Sequence, residues 1–213
     1  ARAENFLNPV RAGAAICVGC HSLSRDGSRI AIGTDIPTTT FQVFDVRTRA
    51  RVFSLGGGFP GQPSMFSFGP GSPPTEIVTS GTDGLVIRNA TTGAPVVTRI
   101  GGGAATMPDW SPDGNRIVYA SYSGVIAFDQ PFITGGSIEV ATLAGGIWTL
   151  SAAPLVTGGG NNYYPAFSPD GEWVSFGRSP SNMANGGDDG ASGAGDAQLW
   201  IIRADGSEPA RRH

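Results

Sequence analysis

Short runs in which apolar and polar positions alternate recur along this chain, and three of them are introduced by the same punctuation. Leu23-Ser24-Arg25-Asp26-Gly27-Ser28-Arg29-Ile30, Trp110-Ser111-Pro112-Asp113-Gly114-Asn115-Arg116-Ile117 and Phe167-Ser168-Pro169-Asp170-Gly171-Glu172-Trp173-Val174 each read as a strand end, a tight turn and the start of a second strand. Proline presets φ, aspartate bonds its own backbone and glycine supplies positive φ, so the punctuation predicts a β-hairpin each time. A period of two after the turn puts alternate side chains on a buried face. A worn fourth copy, Phe66-Ser67-Phe68-Gly69-Pro70-Gly71, keeps the turn residues, loses the aspartate and leads into Glu76-Ile77-Val78. Ile30, Ile77, Ile117 and Val174 then recur at intervals close to the roughly 40–50 residues of a four-stranded propeller blade. Further strands are predicted over 41–46, 84–89 and 198–203, with closing turns at Thr92-Gly93 and Asp205-Gly206.

The pattern predicts an all-β chain, a β-propeller of four-stranded blades with about four blades visible in residues 1–213. These are read as a single domain that is either a small propeller or part of a larger one. Composition agrees: 33 glycines and 16 prolines suit many tight turns, and 39 % hydrophobic residues are enough for a core. The stretch 179–197, rich in Gly, Asp and Ala, reads as a loop inserted in the last repeat. Trp110, Trp148, Trp173 and Trp200 are expected to fill space between blades. Only 14 Lys and Arg and a net charge of −3 offer no face for nucleic acid, and no apolar run is long enough to span a membrane.

Chemistry concentrates in one place. The only two cysteines stand in Cys17-Val18-Gly19-Cys20-His21, the spacing of a c-type haem attachment. Two thiols three positions apart reach the two vinyl groups on one porphyrin edge, and the adjacent imidazole becomes the proximal iron ligand. Three other readings stay open: a disulfide, a redox dithiol, and a metal site, for which the one other histidine is His213. No Ser-His-Asp set and no phosphate-binding loop can be assembled from the rest.

The Ser-Pro-Asp-Gly turns and the strands that follow them, from about Cys20 to Ser207, resemble the repeats of TolB-type (PD40) β-propellers. That resemblance implies a periplasmic or otherwise extracytoplasmic location of bacterial type, which suits haem c, matured outside the bacterial cytoplasm. A Cys-x-x-Cys-His within a propeller also resembles the propeller domain of the hydrazine synthase α subunit. This second resemblance implies tyrosine coordination and points to Tyr163 and Tyr164; the activity is not carried over.

Aligning Ser24, Ser67, Ser111 and Ser168 sets Cys20 opposite Pro63, Met107 and Tyr164, and His21 opposite Ser64, Pro108 and Pro165. The haem is therefore expected at one mouth of the central channel. His21 is the proximal ligand, Met107 the first candidate for the far side of the iron, and Met65 and Tyr164 follow. The first reading is a c-type haem protein that transfers electrons to a redox partner protein or another haem domain. The alternatives are a cofactor-free TolB-like propeller that binds a protein or peptide, and a haem enzyme with an open iron site.

Overall fold

The repeated turns form as the sequence predicts, each closed by its own side chains. The Ser24, Ser111 and Ser168 hydroxyls donate to Asp26, Asp113 and Asp170 at 2.6, 2.5 and 2.5 Å. The same carboxylates accept the backbone N–H groups of Ser28, Asn115 and Glu172. Gly27, Gly114 and Gly171 sit at φ 71°, 79° and 74°, where a side chain is disfavoured. The aspartates thus serve the turn backbone.

The structure is a computed structural model that describes residues 6, 18–34, 40–56, 65–81, 84–101, 104–123, 126–127, 130–131, 134–180 and 196–213. Among these there is no helix, and hence none long and apolar enough to cross a membrane. Blade I holds β1 (Val18–Leu23), β2 (Arg29–Thr34), β3 (Thr40–Asp45) and β4 (Arg51–Leu55). Blade II holds β5 (Phe66–Phe68), β6 (Glu76–Gly81), β7 (Gly84–Asn89) and β8 (Pro95–Ile100). Blade III is β9 (Ala105–Trp110), β10 (Arg116–Ser123), β13 (Thr134–Ala144) and β14 (Ile147–Leu150). A small hairpin of β11 (Ile126–Ala127) and β12 (Gln130–Pro131) lies between its second and third strands. Blade IV is β15 (Asn161–Phe167), β16 (Trp173–Ser179), β17 (Gln198–Arg203) and β18 (Arg211–Arg212). Every pairing among the described residues is antiparallel, and a bridge from Gly81 at the end of β6 to Ala105 at the start of β9 links blades II and III. Of the predicted loop over 179–197, Ser179 closes β16 and 181–195 lie outside the described residues.

The expected equivalence of Ile30, Ile77, Ile117 and Val174 holds, since they pair with Leu23, Phe68, Trp110 and Phe167. The alignment of Ser67 does not. Ser24, Ser111 and Ser168 donate their N–H across the turn to Arg29, Arg116 and Trp173; the matching bond in blade II runs from Gly69 to Glu76. Gly69 therefore takes the serine place, and the alignment of blade II moves by two residues. Backbone pairing fixes the position, and the turn hydroxyl that marks it elsewhere is missing there.

The inner strands succeed one another in chain order, β1 beside β5, β5 beside β9 and β9 beside β15. Each blade packs its trailing face on the next: Ala31, Phe41 and Val43 meet Phe66, Phe68 and Ile77; Val78, Leu85 and Ile87 meet Trp110, Ile117 and Tyr119. Val118, Ile138 and Val140 meet Phe167, Val174 and Phe176 in the same way. Phe41, Leu85 and Ile138 hold one position in three successive blades and are 1 %, 0 % and 0 % exposed, whereas Leu199 in that position of blade IV is 54 % exposed. The leading face of blade I is covered, with Phe6 packed near Ile32 and Phe44. The tryptophans divide accordingly. Trp110 is buried with Trp148 edge-on at 5.7 Å, Trp200 packs between blades III and IV, and Trp173 lies under Arg203 and Arg211.

Candidate functional site

Each of three inner strands carries the same irregularity near its middle. In β1 the pairing steps from Gly19 opposite Gly33 to His21 opposite Ile32, so Cys20 is an extra residue. In β9, Met107 and Pro108 share the span of Tyr119; in β15, Tyr164 and Pro165 share that of Phe176. These are β-bulges, which re-aim a side chain out of the pleat. Met107 and Tyr164 adopt left-handed backbone at φ 53° and 50°, a conformation that costs a residue with a Cβ about 1–2 kcal/mol. Glycine would take it freely, so the occupied side chains at both positions point to a use for them.

Counting back four residues from Ser24, Gly69, Ser111 and Ser168 gives Cys20, Met65, Met107 and Tyr164. Met65 rather than Pro63 is therefore the blade II member of this ring; Pro63 and Ser64 lie outside the described residues. Ser80 donates its N–H to the Met65 carbonyl at 3.1 Å, so Met65 holds this place in regular register, without the bulge of the other three inner strands.

The bulges open on a cavity of about 570 Å³ at the centre of the blades, lined by His21, Met65, Met107, Asp109 and Tyr164 with Pro108 and Pro165. Sequence-predicted residues from four blades thus meet in one place. His21 is exposed to the cavity and Tyr164 is 42 % exposed. Met107 is only 4 % exposed, and its Sδ accepts the Tyr164 N–H at 3.3 Å. Tyr163 does not line the cavity. It packs behind with Met107 and Ala120, edge-on to Tyr164 at 5.7 Å, its phenol raised by burial and by the Asp196 carboxylate. The Cys20 backbone lies in β1, and Cys17 lies outside the described residues.

Two further residues were not singled out by sequence reasoning. Asp109 Oδ1 accepts the Ser67 hydroxyl at 3.0 Å, Oδ2 accepts the Phe167 N–H at 2.8 Å, and the Arg25 guanidinium stands 3.8 Å from Oδ2. Arg25 also donates to the Trp110 carbonyl at 2.5 Å, and Ser67 Oγ accepts the Trp110 N–H at 3.1 Å. Burial pushes the Asp109 carboxyl up, against the opposing pull of these hydrogen bonds and of Arg25. The partners lie 42 to 84 residues away in sequence, so only the signal of a lone carboxylate two positions after Met107 was available.

The donor set fits a haem iron: one imidazole, two thioethers and one phenol around a cavity whose walls are mostly prolines and apolar side chains.

Among solved structures the chain is similar to a TolB-type chain from Agrobacterium tumefaciens, with TM-score 0.63 and 18 % identity over 92 % of this chain and 61 % of that one. It is similar also to TolB from Acinetobacter baumannii, at TM-score 0.64 and 15 % identity over 92 % and 43 %. The fold is a TolB-like β-propeller. Hydrazine synthase from Kuenenia stuttgartiensis shares it too, at TM-score 0.58 and 15 % identity over 87 % of this chain and 52 % of that one. The chain thus spans less than two thirds of the length of each. No family model and no curated protein matches the sequence.

Proposed function

We propose that this chain is an extracytoplasmic c-type haem protein that transfers electrons, with the haem at the central cavity of the propeller. Cys17 and Cys20 would anchor the porphyrin through thioethers, and His21 would hold the iron from the proximal side. Met107, Met65 and Tyr164 would be the candidates for a second iron ligand. The haem supplies reversible one-electron exchange.

One observation carries the reading. His21, the histidine of the chain's Cys-x-x-Cys-His, opens on the same cavity as two thioethers and a phenol, of which Met107 and Tyr164 sit at equivalent bulged positions. The protein's own part is to hold that donor set rigidly on strands and to line the site with apolar walls, which limits water near the iron. His21 and Tyr164 are exposed at the cavity, which leaves an approach for a redox partner. A cofactor-free propeller that binds a protein partner draws support from the TolB-like fold alone.

The test is expression with a haem c maturation system, followed by spectra of the reduced protein with and without carbon monoxide. A spectrum unmoved by carbon monoxide is expected of an iron held on both sides and used for electron transfer. A large shift would favour the open-site enzyme, and a colourless product the partner-binding propeller.

A further inference from the structure

Asp109 is the carboxylate that lines the central cavity, and its contacts reach every blade. It stands on β9 of blade III, accepts from Ser67 of blade II and from the Phe167 N–H of blade IV, and faces Arg25 of the blade I turn. It follows Met107 by two residues and adjoins Pro108, so it braces the bulge that presents the Met107 side chain.

The corresponding position in the other blades, two before the turn residue, is Ser22, Ser67 and Ala166. The blade itself therefore does not need a carboxylate there. Nor does a hydrogen-bond acceptor need to be charged, and burying a charge is costly even beside a partner. The charge is kept at the one cavity where His21, Met65, Met107 and Tyr164 converge.

We infer that Asp109 and Arg25 form an electrostatic pair that sets the reduction potential of the group held in this cavity, with Asp109 also positioning the Met107 bulge. The inference rests on the haem reading above. A partly buried negative charge near an iron favours its oxidised state, and partial burial leaves the effect less screened than at the open surface. Arg25 opposes it from the cavity edge.

The test is a spectroelectrochemical titration of the haem-loaded full chain and two variants. Asp109→Asn keeps an acceptor oxygen and removes the charge, so its midpoint potential rises. Arg25→Gln leaves the carboxylate uncompensated, so its potential falls. Shifts of opposite sign separate a charge effect from a packing effect, because loosening the blades would move both variants the same way. Thermal midpoints recorded alongside identify a variant that fails to fold; Asp109→Ser, the residue that blades I and II carry, then replaces Asp109→Asn with the same expected rise. Unchanged potentials, or shifts of one sign in folded protein, overturn the inference while leaving the haem reading intact. A wild-type chain without covalent haem overturns both.

Discussion

At the residue scale, the site turns on side chains placed where the backbone would favour glycine. Met107 and Tyr164 hold left-handed φ inside their bulges, and each precedes a proline that narrows its freedom further. Tyr164→Gly is expected to change stability by less than about 1 kcal/mol, because relief of strain offsets the greater freedom of the unfolded chain. Thermal denaturation checks this, and a loss above about 2 kcal/mol would mean that the side chain holds the fold rather than the site. The turn aspartates behave differently. Burial pushes Asp26 up, but the Ser24 hydroxyl and the Ser28 N–H and hydroxyl outweigh it and bring the carboxyl from 3.8 down to about 2. Hydrogen bonds from Ser111 and Ser168 lower Asp113 and Asp170 as well. A depressed carboxyl contributes stability that is present above the unfolded value and lost as pH falls through the folded one. The turns should therefore hold above about pH 4 and weaken toward pH 2. A triple Asp→Ser variant should show a flatter acid limb in an equilibrium unfolding series; an unaltered limb would count against the turn assignment.

At the scale of elements, hairpins were legible in the sequence wherever turn chemistry was intact. Three Ser-x-Asp-Gly turns gave three strand pairs at the right residues, and Ile77 fell in register by spacing alone. Ser67 matches the turn serines in identity but not in pairing: its hydroxyl donates to Asp109 and accepts the Trp110 N–H, while Gly69 closes the turn. That two-residue offset puts Pro63, in place of Met65, opposite Cys20, Met107 and Tyr164. The candidate site was legible as far as local motif and repeat could carry it. Cys20, His21, Met107 and Tyr164 came from spacing, but Asp109 and Arg25 came only from contacts between blades, which no local pattern encodes. Blade packing makes its own prediction. Leu85→Ala removes a side chain with no exposed surface and should cost about 2–5 kcal/mol. Leu199→Ser, at the same blade position on the open face, should stay within about 0.5 kcal/mol. Chemical denaturation of the two variants decides it, and similar losses would mean that the trailing face of blade IV is covered in solution.

At the scale of the molecule, four blades form an arc with one cavity at its centre, and among the described residues the trailing face of blade IV leaves Leu199 exposed. The arc brings donors from four blades, separated by up to about 140 residues of chain, within reach of one site. Nothing local would assemble them; the propeller does so by repeating one blade and bulging three of its inner strands at one height. Electron transfer at this cavity requires a covalent haem at Cys17 and Cys20, and a pyridine haemochrome spectrum of acid-acetone-extracted protein, made with a haem c maturation system, tests that most directly. A c-type absorption that stays with the polypeptide, and is lost when both cysteines are changed to serine, is the predicted result. A colourless polypeptide with the haem wholly in the extract would contradict it.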